Sequence, residues 1–227
     1  MAWIAQDDGE SYANGNSISG LNGGSNWGGA WSVAGAGTKD IVNTPTLQGG
    51  LCFRLVKTNT EPEALRAFTA VTSGIVSFMC RTDNNTTDAM GFGFVETATV
   101  RFYFFIDNNI IGTFGDSHFC MSNGASFTDL GVFAVNTNYT IVIDFDNATD
   151  QFRVSLNGGS SFSGYSAYVA AATNIDSIRF RVIAEGASTV NYYFDDIKAG
   201  AVLTTAATVT QPQSISGGAT IGGSMNL

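Results

Sequence analysis

The sequence predicts an all-β protein, a two-sheet antiparallel jelly-roll β-sandwich with an extended C-terminal tail. Three observations carry that expectation. Hydrophobic residues recur with period two over much of the chain, which is the strand period. No stretch shows the helical period. The 227 residues hold 27 glycines and are rich in Ser, Thr and Asn, a mixture that suits strands joined by tight turns.

The elements follow in order. Leu51, Phe53 and Leu55 alternate with Cys52, Arg54 and Val56. Val76, Phe78 and Cys80 alternate with Ser77, Met79 and Arg81. Phe92 and Phe94 precede a face made of Val100, Phe102, Phe104 and Ile106. Tyr139, Ile141, Ile143 and Phe145 form another face, answered by Phe152, Val154 and Leu156. The intervening Asp146-Asn147-Ala148-Thr149-Asp150 is turn chemistry, so 139–156 reads as a hairpin. Ile178, Phe180 and Val182 make the next strand, with Arg179 and Arg181 pointing the other way, and 192–197 makes the last strong one. Residues 9–38 read as an ordered loop anchored by Tyr12, Trp27 and Trp31, and Glu61-Pro62-Glu63 reads as a turn. One domain over 1–203 is expected, followed by an uncharged Gly/Thr/Ser-rich tail over 204–227 that serves assembly contacts.

Charge narrows the function. Ten basic against 19 acidic residues give −9, and the three lysines and seven arginines are scattered. Phosphate neutralisation needs clustered cations, so nucleic acid is excluded as a partner. No run approaches the ~18 apolar residues of a membrane helix, so no membrane partner is expected. The first residues, Met-Ala-Trp-Ile-Ala-Gln-Asp-Asp, carry neither a basic region nor a signal-length apolar run. Either a signal has been removed or the protein reaches its place without secretion. Cys52, Cys80 and Cys120 fit no zinc spacing and cannot all pair with one another. Buried thiols acting as small hydrophobes are expected, with a Cys52–Cys80 bridge as the alternative.

Residues 8–31, running from Asp-Gly-Glu-Ser-Tyr to Asn-Trp-Gly-Gly-Ala-Trp, resemble the opening of concanavalin A-like, laminin-G-like jelly rolls. The 139–156 hairpin with its Leu156-Asn157-Gly158 ending resembles their paired central strands. Residues 178–182 and Tyr193-Phe194-Asp195-Asp196-Ile197-Lys198 resemble their closing pair. The resemblance spans roughly 5–203 and implies the fold, within a superfamily of lectins, glucanases, lyases and structural modules.

A glucanase of this fold would carry E-x-D-x-x-E on a central strand, because a retaining mechanism needs two carboxyl groups close together. Glu10, Glu61, Glu63, Glu96 and Glu185 are the five glutamates, and none sits in that motif. Asp144 and Asp146 share a face, but Asp146 belongs to the turn. His118, with Asp116 nearby, forms no recognised nucleophile arrangement. No catalytic residue is assigned, and no enzyme activity is expected. No cofactor is expected either. A structural calcium is the one candidate: Asp7, Asp8 and Glu10 open the chain, Asp195 and Asp196 close it, and a jelly roll sets its first and last strands side by side. The alternative is that these acids cap strand ends. For glycans, Tyr12, Trp27 and Trp31 are the candidate binding residues, against a role plugging the sandwich end.

The expected function is a non-enzymatic structural or decorating protein of a large assembly, foremost a bacteriophage virion, with glycan-binding ability. Its partners would be copies of itself or a lattice protein such as a major capsid protein. Assembly from the host cytoplasm would reconcile unpaired thiols with an extracellular-looking jelly roll. A carbohydrate-binding module of a secreted protein and a glycan hydrolase or lyase are the alternatives.

Overall fold

The computed structural model describes residues 3–57, 61–83, 88–107, 117–184 and 189–201, and no helix occurs among them. The 204–227 tail lies outside the described residues. The strands are β1 (Ala5–Asp7), β2 (Ser32–Ala34), β3 (Thr38–Val42), β4 (Cys52–Lys57), β5 (Glu63–Val71), β6 (Ser73–Thr82), β7 (Asp88–Glu96) and β8 (Thr99–Asp107). They continue with β9 (His118–Ser122), β10 (Phe127–Val132), β11 (Tyr139–Asp146), β12 (Gln151–Ser155), β13 (Ser166–Ala167), β14 (Ile175–Ala184) and β15 (Val190–Ala201).

One sheet runs β13-β12-β11-β6-β15-β4-β3, with β1 also paired to β15. The other runs β10-β9-β8-β7-β14-β5-β2. Distant segments therefore meet at the centre of each sheet: β15 lies between β6 and β4, and β14 between β7 and β5. The period-two runs fall in strands, save that Leu51 and Leu156 lie one residue beyond β4 and β12, and the hairpin forms as β11 and β12 in antiparallel register. Its turn is capped by Asp146, whose Oδ1 accepts the Ala148 N–H at 3.0 Å.

The sequence reading differs in two places. Residues 9–38 contain β2, which pairs with β5. Glu63 starts β5 instead of ending a turn. Both segments are short of apolar alternation, and tertiary pairing overrides the local signal.

The core lies between the sheets and is dominated by phenylalanine. Phe194 of β15 stacks on Phe180 of β14 at 4.0 Å, and Phe78 of β6 stacks on Phe92 of β7 at 4.4 Å, so both pairs bridge the layers. Each such ring contributes roughly 1.5–3 kcal/mol by leaving water, and each pair adds about 0.5–1.5 kcal/mol. Strand alternation then sends the intervening residues of β7, β8 and β14 to the outer face of the seven-stranded sheet.

Candidate functional site

Asp7, Tyr12, Trp27 and Trp31, singled out in the sequence, gather around Arg66 of β5. Arg66 projects inward from β5 between Ala64 and Phe68, and its guanidinium Nη1 lies 2.5 Å from Asp7 Oδ2 with both side chains fully buried. That oxygen also accepts the Trp31 indole N–H at 3.0 Å and the Tyr12 hydroxyl at 2.8 Å. The remaining guanidinium N–H groups reach the Gly29 carbonyl at 3.0 Å and the Gly23 carbonyl at 2.8 Å. Trp27 and Trp31 cover the guanidinium, with ring centroids 5.0 and 5.3 Å away. The long loop is thus wound around one buried ion pair.

This placement corrects the glycan expectation for Trp31, which is 2% exposed and has no face to offer a sugar. Tyr12 and Trp27 are half-buried. The Tyr12 hydroxyl is committed to Asp7, Arg66 and the Gly23 N–H, and burial raises its pKa. The Trp27 ring rests against Phe68 and Trp31.

The acids named for calcium come from β1, the segment after it and β15. β1 and β15 are neighbours, with Asp7 opposite Ile197. The five acids nevertheless turn to different partners. Asp7 serves Arg66. Asp196 takes the Lys198 ammonium at 2.6 Å. Glu10 accepts the N–H groups of Gly50 and Leu51 at 2.6 and 2.8 Å, and Asp8 accepts that of Glu10 at 3.2 Å. Asp195, completely buried, accepts from Gln48 and Asp196, and burial pushes its carboxyl up to about 7. Among the described residues no three His, Cys, Asp or Glu side chains converge where a metal could be held, so this donor set does not fit calcium.

Other candidates are also engaged. Asp144 pairs with Arg153 at 2.8 Å, and Glu96 with Arg101 at 2.5 Å. His118 meets Asp129 at 2.9 Å; Asp116 lies outside the described residues. All three cysteines are buried and none forms a disulfide. Burial pushes the Cys52 thiol up to about 12.

Two concavities lie elsewhere. An open groove of about 530 Å³ separates the edge strand β10 from the 156–164 segment that follows β12. Its lining mixes Thr128, Asp129, Asn157 and Ser161 with Leu130, Leu156 and Phe162. Beside it the Arg153 guanidinium lies over Phe162 at 4.6 Å and over Tyr165 at 4.9 Å. Tyr165 is 54% exposed, and Gly158 and Gly159, both at positive φ, turn the chain into this segment.

A smaller trough of about 110 Å³ crosses the outer face of the seven-stranded sheet. Gly91 and Gly93 of β7 form its floor, Tyr103 and Phe105 of β8 one wall, and Arg179 and Arg181 of β14 the other. Cross-strand register makes this alignment: Arg181, Gly91 and Phe105 share one row, and Arg179, Gly93 and Tyr103 the next.

No family model and no curated protein matches the chain. Solved structures do. A sialidase superposes with a TM-score of 0.63 at 13% identity, over 75% of this chain and 17% of its own. The botulinum neurotoxin serotype G binding domain gives 0.52 at 14%, over 89% and 48%. An uncharacterized protein from Mycobacterium paratuberculosis gives 0.52 at 10%, over 85% and 97%. The chain therefore spans about a sixth of the sialidase and about half of the neurotoxin domain. At these identities the likeness is one of fold alone, a two-sheet antiparallel β-sandwich.

Proposed function

We propose that the chain is a non-enzymatic, glycan-binding surface component of a large assembly, and that the groove beside β10 holds the sugar. The observation that carries this reading is the groove's lining. Hydroxyl, amide and carboxylate groups from Thr128, Asn157, Ser161 and Asp129 line the groove together with the apolar Leu130, Leu156 and Phe162, and the exposed Tyr165 directly follows the lining residue Gly164 in the chain. A sugar needs both kinds of surface, polar partners for its hydroxyls and a ring for its C–H face. The test is a glycan array followed by titration of the best hit. Tyr165→Ala is expected to weaken binding at least tenfold without lowering the melting temperature, because the side chain is mostly solvent-exposed. Absence of any retained glycan, or unchanged affinity in that variant, overturns the reading.

The assembly setting is supported by the three buried, unbridged thiols, which suit a chain that folds in a reducing cytoplasm. A virion is the setting we infer, with copies of the chain or a lattice protein such as a capsid subunit as partner. Deleting 204–227 is expected to leave a folded sandwich that no longer joins its particle. Normal occupancy of the truncated chain in purified particles refutes the assembly role of the tail.

A further inference from the structure

We propose that the groove beside β10 takes uncharged sugars and excludes acidic ones, such as uronates and sialylated glycans, through the fixed negative charge of Asp129. This rests on the glycan reading above and names the class of sugar that the same site accepts. Among the described residues that line the groove, Asp129 carries the one charged side chain. The other lining residues bring hydroxyls, an amide, apolar groups and a glycine. The Asp129 side chain is 39% exposed, so its charge is open to a ligand.

The strand itself fixes this carboxylate. β10 is bulged here: Asp129 faces Cys120 and Gly131 faces Phe119, so Leu130 is the extra residue, and a bulge re-aims the side chains around it. Gly131 supplies the φ of 112° that the bulge demands. Asp129 Oδ1 accepts the Gly131 N–H at 2.8 Å and lies 2.9 Å from His118 Nδ1. Both contacts fall on Oδ1, which leaves Oδ2 to a ligand. The His118 contact, with the Gly131 and Leu130 N–H groups, holds the carboxyl below the usual carboxylate range. It therefore stays ionised at neutral pH.

An ionised carboxylate accepts hydrogen bonds and donates none. Sugar hydroxyls supply the donors it needs, and bonds to a charged acceptor are the stronger ones. A carboxylate or sulfate on the ligand brings a second negative charge and no proton, and like charges sharing a groove repel. Arg153, beside the groove, does not reverse this. Its Nε donates to Asp144 at 2.8 Å, which offsets the charge, and its guanidinium is stacked on Phe162 and Tyr165. The chain as a whole carries −9, so its long-range field adds to the repulsion.

The probes are the methyl glycosides of glucose, galactose and mannose, each beside its uronate, which differs only in a carboxylate at C6. They are titrated into the full chain by NMR at pH 8, above the ordinary imidazole range. At least one neutral glycoside is expected to bind, with its uronate at least fivefold weaker in low salt. Molar salt screens exposed charges and is expected to bring the pair within twofold. Asp129→Asn is expected to do the same in low salt, and the salt series serves where that variant does not fold. A uronate that binds as tightly as its neutral partner, or more tightly, overturns the proposal and leaves the glycan reading standing. So does a gap that neither salt nor Asp129→Asn narrows. Binding of none of the six probes overturns both.

Discussion

Arg66 and Asp7 meet through Nη1 and Oδ2 at 2.5 Å inside the sandwich, 59 residues apart in sequence and both without solvent exposure. An ion pair so buried holds only because its remaining polar atoms are satisfied, and here Trp31, Tyr12, Gly23 and Gly29 satisfy them. Removing one member leaves a charge with no partner. Arg66→Met or Asp7→Asn is therefore expected to cost about 3–5 kcal/mol in urea unfolding. The double variant is expected to recover part of that loss. Equal stability of a single variant and the parent refutes the anchoring role.

Asp195 gives the chain a pH dependence. Burial raises its folded-state pKa to about 7, from an ordinary value near 4. Between those values the folded chain holds a proton that the unfolded chain has released, so this group's contribution to stability declines as pH rises from about 4 to about 7. Asp195→Asn removes the titration. Relative to that variant, the parent is expected to lose on the order of 1–3 kcal/mol between pH 5 and pH 8 in paired denaturation curves. A difference that stays constant with pH disproves the assignment.

The thiols are expected to resist modification in the native state and to be complete in number when exposed. A disulfide-exchange reagent at pH 8 should find no reactive group in folded protein, since all three cysteines are buried. In denaturant without reductant it should count three per chain. A count of one reveals a bridge and points to an oxidising compartment.

Purified protein is expected to release neither reducing ends nor unsaturated products from β-glucans, alginates and pectins. The carboxylates that a hydrolase would use are tied up: Asp144 by Arg153, and Glu96 by Arg101 and the Thr173 and Asn174 N–H groups. Turnover that disappears in Asp144→Asn or Glu96→Gln overturns this expectation.

Much of the sandwich was legible because each central strand buries one face, and burial leaves period two in the sequence. The β11–β12 hairpin and the Phe-rich β7 and β8 are the clearest cases. The buried Arg66 was not legible. It occupies an inward position of β5, where a charge looks like a break in the pattern until Asp7 is brought to it from 59 residues away. The trough left a partial signal. Arg179 and Arg181 already pointed away from the core, and Gly91 and Gly93 alternate with Phe92 and Phe94. What the sequence lacked was the register that aligns β14, β7 and β8, which only long-range pairing sets. The groove was hidden for a different reason, since it joins edge strand β10 to a Gly/Ser segment whose local pattern says only that it turns.

The pairing of β1 with β15 also sets how the domain carries load. Ala5 sits opposite Ala199, so the start of the first strand and the end of the last lie side by side. Tension between the two ends would peel these strands apart from that point, breaking their hydrogen bonds one after another instead of all together. Each bond contributes only about 0.5–1.5 kcal/mol, so such a ladder yields at low force. Once Asp7 is drawn out of register, the Arg66 anchor goes with it. A chain tethered at both ends would open at this seam, whereas one fixed at a single end puts no strain on it.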